Sequence, residues 1–205
     1  ESYEEMKNIG AIAEQKKIKA NIALRVNPDV SAGGHPKIST GKKSDKFGVS
    51  IEKAIEAYNY AKEHNFINIV GIDMHIGSQI LDVKPFKKAF AKIVSLTKKL
   101  ERIGFNFLNI DLGGGIGINY LESNKKDLLT EYTSLIKDVY KKTGKKIIIE
   151  PGRYLVGDSG ILVTKIIYTK KNEDKNFLIV DAGMNDFLRP ALYSAKPLVK
   201  TLKKK

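Results

Sequence analysis

The sequence predicts an α/β fold of parallel β/α units followed by an antiparallel β segment. Three observations lead there. Helical and strand-like periods alternate through the first 150 residues. Polar and glycine-bearing motifs recur at near-equal intervals, each at the end of an apolar strand. After about residue 156 the alternation stops, and two strand-like runs flank a single polar turn.

The elements follow in order. Ser2-Tyr3-Glu4-Glu5 is a capping box that opens a helix to about Lys17. Residues 20–27 (ANIALRVN) form a β-rich run closed by Pro28. Ser50 caps a second helix to about His64, and residues 67–76 (INIVGIDMHI) form a second buried strand. The third helix, 84–102, carries Phe86, Phe90, Ile93, Leu96 and Leu100 at helical spacing and stops at Gly104. Residues 105–112 (FNFLNIDL) are the third strand. A fourth helix, 126–143, has Leu128, Tyr132, Leu135, Ile136 and Val139 as its inner face and Gly144 as its stop; residues 146–150 (KIIIE) are the fourth strand. Residues 160–169 and 177–181 read as a hairpin about the polar turn 171–176, and residues 196–205 as a basic tail. Parallel strands joined by helices fit either half of a (β/α)8 barrel or a small doubly wound sheet; in both, chemistry gathers at the C-terminal strand ends.

Composition narrows the function. The chain has 205 residues, 42% hydrophobic and 29% charged, which is that of a globular protein. Cysteine is absent, which excludes disulfides, thiolate zinc sites and a thiol nucleophile, and fits a reducing cytoplasm. No apolar run approaches the roughly 20 residues that span a bilayer, and no signal-peptide pattern is present. The net charge of +13 suggests nucleic acid, but the lysines are spread over every polar helix face without an aromatic-interleaved stripe, so a solvated surface is the better reading. Only Arg25, Arg102, Arg153 and Arg189 among the 36 basic residues are arginine. All but Arg102 sit at strand ends or beside Pro and Gly, where a planar two-pronged grip on a carboxylate or phosphate is useful.

The strand ends carry the chemistry. Gly113-Gly114-Gly115 follows an apolar strand, and consecutive glycines free the backbone to aim N–H groups at one anion. The P-loop and the dinucleotide fingerprint both fail here: no Gly-Lys-Ser/Thr follows and no helix starts at once. His75-Ile76-Gly77-Ser78-Gln79 ends the second strand, with a Gly-Ser pair able to donate to phosphate. Glu150-Pro151-Gly152-Arg153 ends the fourth. A buried carboxylate there must be paired or protonated; the partner is either an internal arginine or a cationic ring nitrogen such as that of pyridoxal phosphate.

The runs HPKISTGKKSDKFG (His35–Gly48), HIGSQ, DLGGGIG, EPGRYLVG and DAGMNDFLRPALY (Asp181–Tyr193) together resemble the diaminopimelate decarboxylase family, pyridoxal-phosphate enzymes of the alanine-racemase-like fold type III. The resemblance covers nearly all of residues 1–193. It implies the second half of a pyridoxal-binding (β/α)8 barrel in residues 1–156, and the start of a C-terminal antiparallel β domain in 157–205. It implies a cytoplasmic homodimer that converts meso-2,6-diaminopimelate to L-lysine and CO2 in the last step of lysine biosynthesis, without nucleic-acid or membrane partners. By resemblance, Gly113, Gly114, Gly115, Ser78 and the turn Glu150, Pro151, Gly152, Arg153 hold the cofactor phosphate. His75 stacks on its ring and Glu150 pairs with the ring nitrogen, as the catalytic pair. Arg153, Arg189 and Tyr193 hold substrate carboxylates, Arg25 lies nearby on a strand, and no metal is expected. The family's Schiff-base lysine, in a motif like Tyr-Ala-x-Lys-Ala-Asn, has no match; Ala20-Asn21 after Lys19 is a chance likeness. The Cys-Glu-Ser segment that reaches across the dimer is missing too, and the pattern is lost after Tyr193. The expectation is an internal stretch of the enzyme that is inactive by itself. The alternatives are a related ornithine- or arginine-type decarboxylase, or a non-catalytic interaction module.

Overall fold

The computed structural model describes residues 1–33, 40–41, 45–120 and 128–202. They divide into two compact units, one of residues 1–118 and 128–155, the other of 156–202 with residues 119 and 120.

The first unit begins with α1 (Tyr3–Gln15), whose Ser2 hydroxyl accepts the Glu5 N–H at 3.1 Å, as the capping box predicts. β1 (Ala20–Asn27) follows, then a two-residue β2 (Val49–Ser50) and α2 (Ile51–Glu63), capped by the Ser50 hydroxyl. β3 (Ile67–Asp73), α3 (Val83–Arg102), β4 (Asn109–Asp111), α4 (Leu128–Thr143), β5 (Lys146–Ile148) and the one-turn α5 (Gly152–Val156) complete it. The third helix is capped by Asp82, a residue earlier than periodicity suggests, and Gly104 beyond it adopts φ +95.

The sheet order is β2-β1-β3-β4-β5, and all pairings are parallel. The core lies between the sheet and its helices. Tyr58 packs edge-on against Phe105 and Phe107, and Phe86 against Tyr132, all of them buried. The buried Tyr58 hydroxyl donates to the Gly71 carbonyl at 3.0 Å and so ties α2 to β3. A side chain at Gly71 would run into Asn109 on the neighbouring strand, which is why a glycine interrupts that apolar run.

Two strands are shorter than their sequence patterns suggest. The third was expected over 105–112, but only Asn109–Asp111 join the ladder, because Phe105 and Phe107 turn into the core ahead of the sheet. The fourth ends at Ile148, and it forms one edge of the sheet with a single partner.

The second unit contains β6 (Ile166–Asn172) and β7 (Lys175–Val180), an antiparallel pair, and the short α6 (Arg189–Tyr193). The hairpin turns on Glu173 and Asp174 alone, with Glu173 at φ 42, rather than on the six-residue loop expected. Residues 160–165, expected as strand, stay outside the ladder, whose first pair is Ile166 with Val180.

Candidate active site

Parallel pairing aligns Arg25 with Asp73, Asp73 with Asp111, and Asp111 with Ile148. Residues in one register row of a parallel sheet point to the same face, so one cation and two carboxylates share a surface at the C-terminal strand ends. Burial first, and then the neighbouring Asp111 carboxylate, push Asp73 up to about 6, against the pull of Arg25. Arg25 is held by Glu1 at 2.6 Å and lies 5.0 Å from the Phe47 ring centroid. Neither aspartate was singled out as a candidate from sequence. The signal was available: each stands two residues before a named motif residue, His75 and Gly113.

The three sequence motifs meet at Gly113 and Gly114. Asp111 Oδ1 accepts the Gly113 N–H at 2.9 Å, and the Gly113 carbonyl accepts the Glu150 N–H at 2.9 Å. The Gly114 N–H donates to His75 Nδ1 at 3.2 Å. An imidazole nitrogen that accepts carries no proton, so this bond selects a neutral ring with its proton on Nε2. Burial, followed by the Arg25 charge, also lowers the His75 pKa, which favours the same neutral form.

The glycines prove necessary for a reason other than ligand access. A Cβ at Gly113 would strike the Met74 carbonyl, one at Gly114 the Glu150 carbonyl, and one at Gly115 the Gly77 carbonyl. Gly113 and Gly115 also have φ of +64 and +103, the left-handed region. The turn is thus a backbone junction of three strand ends. Two of its N–H groups are used internally; that of Gly115 has no acceptor among the described residues.

Glu150 is exposed and makes no ion pair among the described residues, which corrects the expectation that it is buried and, of the two partners considered, leaves the internal Glu–Arg bridge unformed there. Among the described residues no strand pairs with β5 on its far side, so nothing in this chain covers the carboxylate. Its carboxylate still acts on Asp73, favouring the protonated acid there. Ser78 is exposed beside the Gly77 carbonyl that Gly115 abuts. Pro151 leads into α5, whose first two residues are Gly152 and Arg153. Arg189 and Tyr193 lie on α6 of the second unit, with the guanidinium 5.1 Å from the tyrosine ring centroid.

The run from His35 to Gly48 is described only in part, since residues 34–39 and 42–44 lie outside the described residues. Of the rest, the Thr40 hydroxyl donates to the His75 carbonyl at 3.0 Å, a tether that no local pattern announces. Among the described residues no cluster of metal-ligating side chains occurs, and no helix is long and apolar enough to cross a membrane.

Residues 1–157 match the family described as pyridoxal-dependent decarboxylase, pyridoxal binding domain. The chain belongs to that family. It is 45% identical over 195 residues to the diaminopimelate decarboxylase of Aquifex aeolicus, covering 95% of this chain and 46% of that one. With the Helicobacter pylori enzyme of that name it shares 44% identity over 202 residues, or 98% of this chain and 50% of the other. A crystal structure of Helicobacter pylori diaminopimelate decarboxylase complexed with L-lysine superposes with a TM-score of 0.93 at 42% identity, covering 100% of this chain and 51% of that one. The chain thus spans about half the length of the curated relatives it matches. These neighbours identify the parallel sheet as part of the TIM-barrel-like domain of the pyridoxal-dependent decarboxylases, and rule in the barrel over the doubly wound sheet.

The site is compatible with that family's cofactor. A phosphate needs N–H and O–H donors, and Gly115 and Ser78 supply one of each that no described residue consumes. A protonated pyridine nitrogen needs an ionised partner, and Glu150 presents a solvated carboxylate without a cation of its own.

Proposed function

We propose that this chain is the cofactor-binding barrel portion (residues 1–156), with part of the following β domain (157–205), of a diaminopimelate decarboxylase. The enzyme would convert meso-2,6-diaminopimelate to L-lysine and CO2, as the last step of lysine biosynthesis, in a cytoplasmic homodimer. The observation that carries the reading is the junction at Gly113 and Gly114, which hydrogen-bonds to both His75 and Glu150. The identity of 45% with an enzyme of that name supports the choice of substrate.

Gly113, Gly114 and Gly115, with Ser78 and the turn Pro151-Gly152-Arg153, would hold the phosphate of pyridoxal 5'-phosphate. When bound, that cofactor supplies an electron sink for the charge left as CO2 departs. The Glu150 carboxylate would hold a proton on the ring nitrogen. The neutral His75 imidazole would lie against the ring without adding a positive charge of its own, and the Gly114 N–H on Nδ1 fixes its orientation. Arg153, and by resemblance Arg189 and Tyr193, would bind substrate carboxylates, whose grip orients the bond to be broken. Arg25, turned to Glu1 and Phe47, would act on the site through its charge rather than by contact.

The test is CO2 release by the full-length enzyme carrying this chain, offered diaminopimelate, ornithine and arginine. Diaminopimelate is expected to be the best substrate. Glu150→Gln should lower kcat about 100-fold with little change in KM, since the proton on the ring nitrogen matters in the transition state. Preference for ornithine or arginine would refute the substrate, and full activity of Glu150→Gln would refute the site.

A further inference from the structure

We infer that Gln79 is a positioning residue that sets the width of the anion cradle by clamping Ile118, in the segment that continues the Gly113–Gly115 turn, to the loop after β3; the inference rests on the pyridoxal phosphate reading above.

The Gln79 side chain addresses a single peptide segment from both sides. Its Nε2 donates to the Ile118 carbonyl at 2.6 Å, and its Oε1 accepts the Ile118 N–H at 3.1 Å. A primary amide has one donor and one acceptor edge in one plane, as a β-strand neighbour does, so Gln79 takes the place of a missing strand partner. The backbone extends the pattern: the Ile80 N–H donates to the Gly115 carbonyl at 2.9 Å, and the Gly117 N–H to the Ile80 carbonyl at 3.0 Å. Ile80 and Ile116 form an isolated parallel bridge outside any strand. The two loops therefore meet along 115–118 by four hydrogen bonds, half of them from one side chain.

Backbone conformation points the same way. Gln79 has φ +58, which a residue with a Cβ disfavours and adopts where surrounding bonds hold it. The contact is also close: a Cβ at Gly115 would strike the Gly77 carbonyl, and one at Gly117 would come within 2.8 Å of Gln79 backbone carbon. The residues between these contacts are Ser78, with its exposed hydroxyl, and Gly115, with its available N–H. These are the two donors assigned to phosphate. Loosening the clamp lets them move apart, while His75 and Glu150 keep their own bonds to Gly113 and Gly114. The loss should thus fall on the phosphate end of the cofactor alone.

The variants follow from the chemistry of the amide. In Gln79→Glu an acceptor faces the Ile118 carbonyl, and in Gln79→Met the length is kept with neither bond. The readout is binding of pyridoxal 5'-phosphate and of pyridoxal, which lacks the phosphate, to the full-length apoenzyme by absorbance titration. Both variants should weaken pyridoxal phosphate about tenfold, as expected for loss of one to two hydrogen bonds, and change pyridoxal less than twofold. Equal weakening of both ligands, or of neither, overturns the clamp. Should the Glu variant fail to fold, the Met variant carries the same comparison. Wild-type enzyme that shows no saturable binding of pyridoxal phosphate overturns the cofactor reading and the clamp with it. That result is distinct from a wild type that binds and variants that match it.

Discussion

The loop ends of β3 and β4 and the end of β5 carry parts of the proposed site, yet they are built in opposite ways. At β3 and β4, each motif is held by another: Asp111 on Gly113, Gly114 on His75, Thr40 on the His75 carbonyl, Gln79 on Ile118. Backbone of the β4 loop fits backbone of the β3 loop so closely that Gly113 and Gly115 admit no side chain. At β5 the sheet has an edge, Glu150 is exposed, and one N–H bond to Gly113 joins it to the rest. The difference teaches that this stretch of chain by itself fixes the orientation of the histidine and of the glycine turn, whereas for Glu150 it fixes the backbone and leaves the side chain uncovered.

The comparison can be broken first by adding one methyl group on each side. Gly113→Ala sets a Cβ against the Met74 carbonyl at the end of β3, a backbone atom that cannot swing away, and should cost about 3 kcal/mol. Gly152→Ala, on the β5 side, meets nothing within 4 Å and should lie within about 0.5 kcal/mol of wild type. Urea denaturation of the full-length enzyme measures both. Similar losses would mean that the two strand ends are equally crowded, and the contrast would fall.

A second, smaller effect should appear with pH. Asp73 is raised to about 6 by burial and then by Asp111, so its folded pKa exceeds that of an unfolded aspartate, about 3.9. The folded state binds more protons between those values, and stability should fall as pH rises from about 4 to about 6. Asp73→Asn removes that slope. It should be nearly neutral near pH 4 and more stable than wild type above pH 7, by roughly 3 kcal/mol. Denaturation midpoints at both pH values check the sign; a variant less stable than wild type at high pH would show that Arg25 stabilises the ionised acid more than burial penalises it.

Much of this was legible in the sequence where the cause is local. Ser2 and Ser50 cap helices because a hydroxyl reaches an N–H three residues on, and Gly104 and Gly144 stop them at φ +95 and +66. His75, the glycine turn and Glu150 stood out because polar and flexible residues end apolar strands. What stayed hidden depends on partners distant in the chain. The length of β4 follows from Phe105 and Phe107 packing into the core ahead of the sheet, and residues 160–165 are left out because the hairpin ladder runs out at Val180. Gln79 and Thr40 act only once two loops are brought together, and the Arg25–Asp73–Asp111 row exists only in the register of three strands. The burial expected for Glu150 failed for the same reason: whether a strand end is inside or at an edge is a property of the sheet.

The smallest expected change bears most directly on that last point. Glu150→Gln keeps the shape of a side chain that is exposed and unbridged among the described residues, so stability should stay within about 0.5 kcal/mol of wild type. The backbone bond from its N–H to Gly113 is unaffected by the substitution. If instead the variant lost more than about 2 kcal/mol in urea, the carboxylate would be part of the scaffold, as an internal bridge to Arg153 requires. A stable variant whose decarboxylation is crippled separates the two roles, because a group that holds nothing in the fold can lower kcat only through what it does to the ligand.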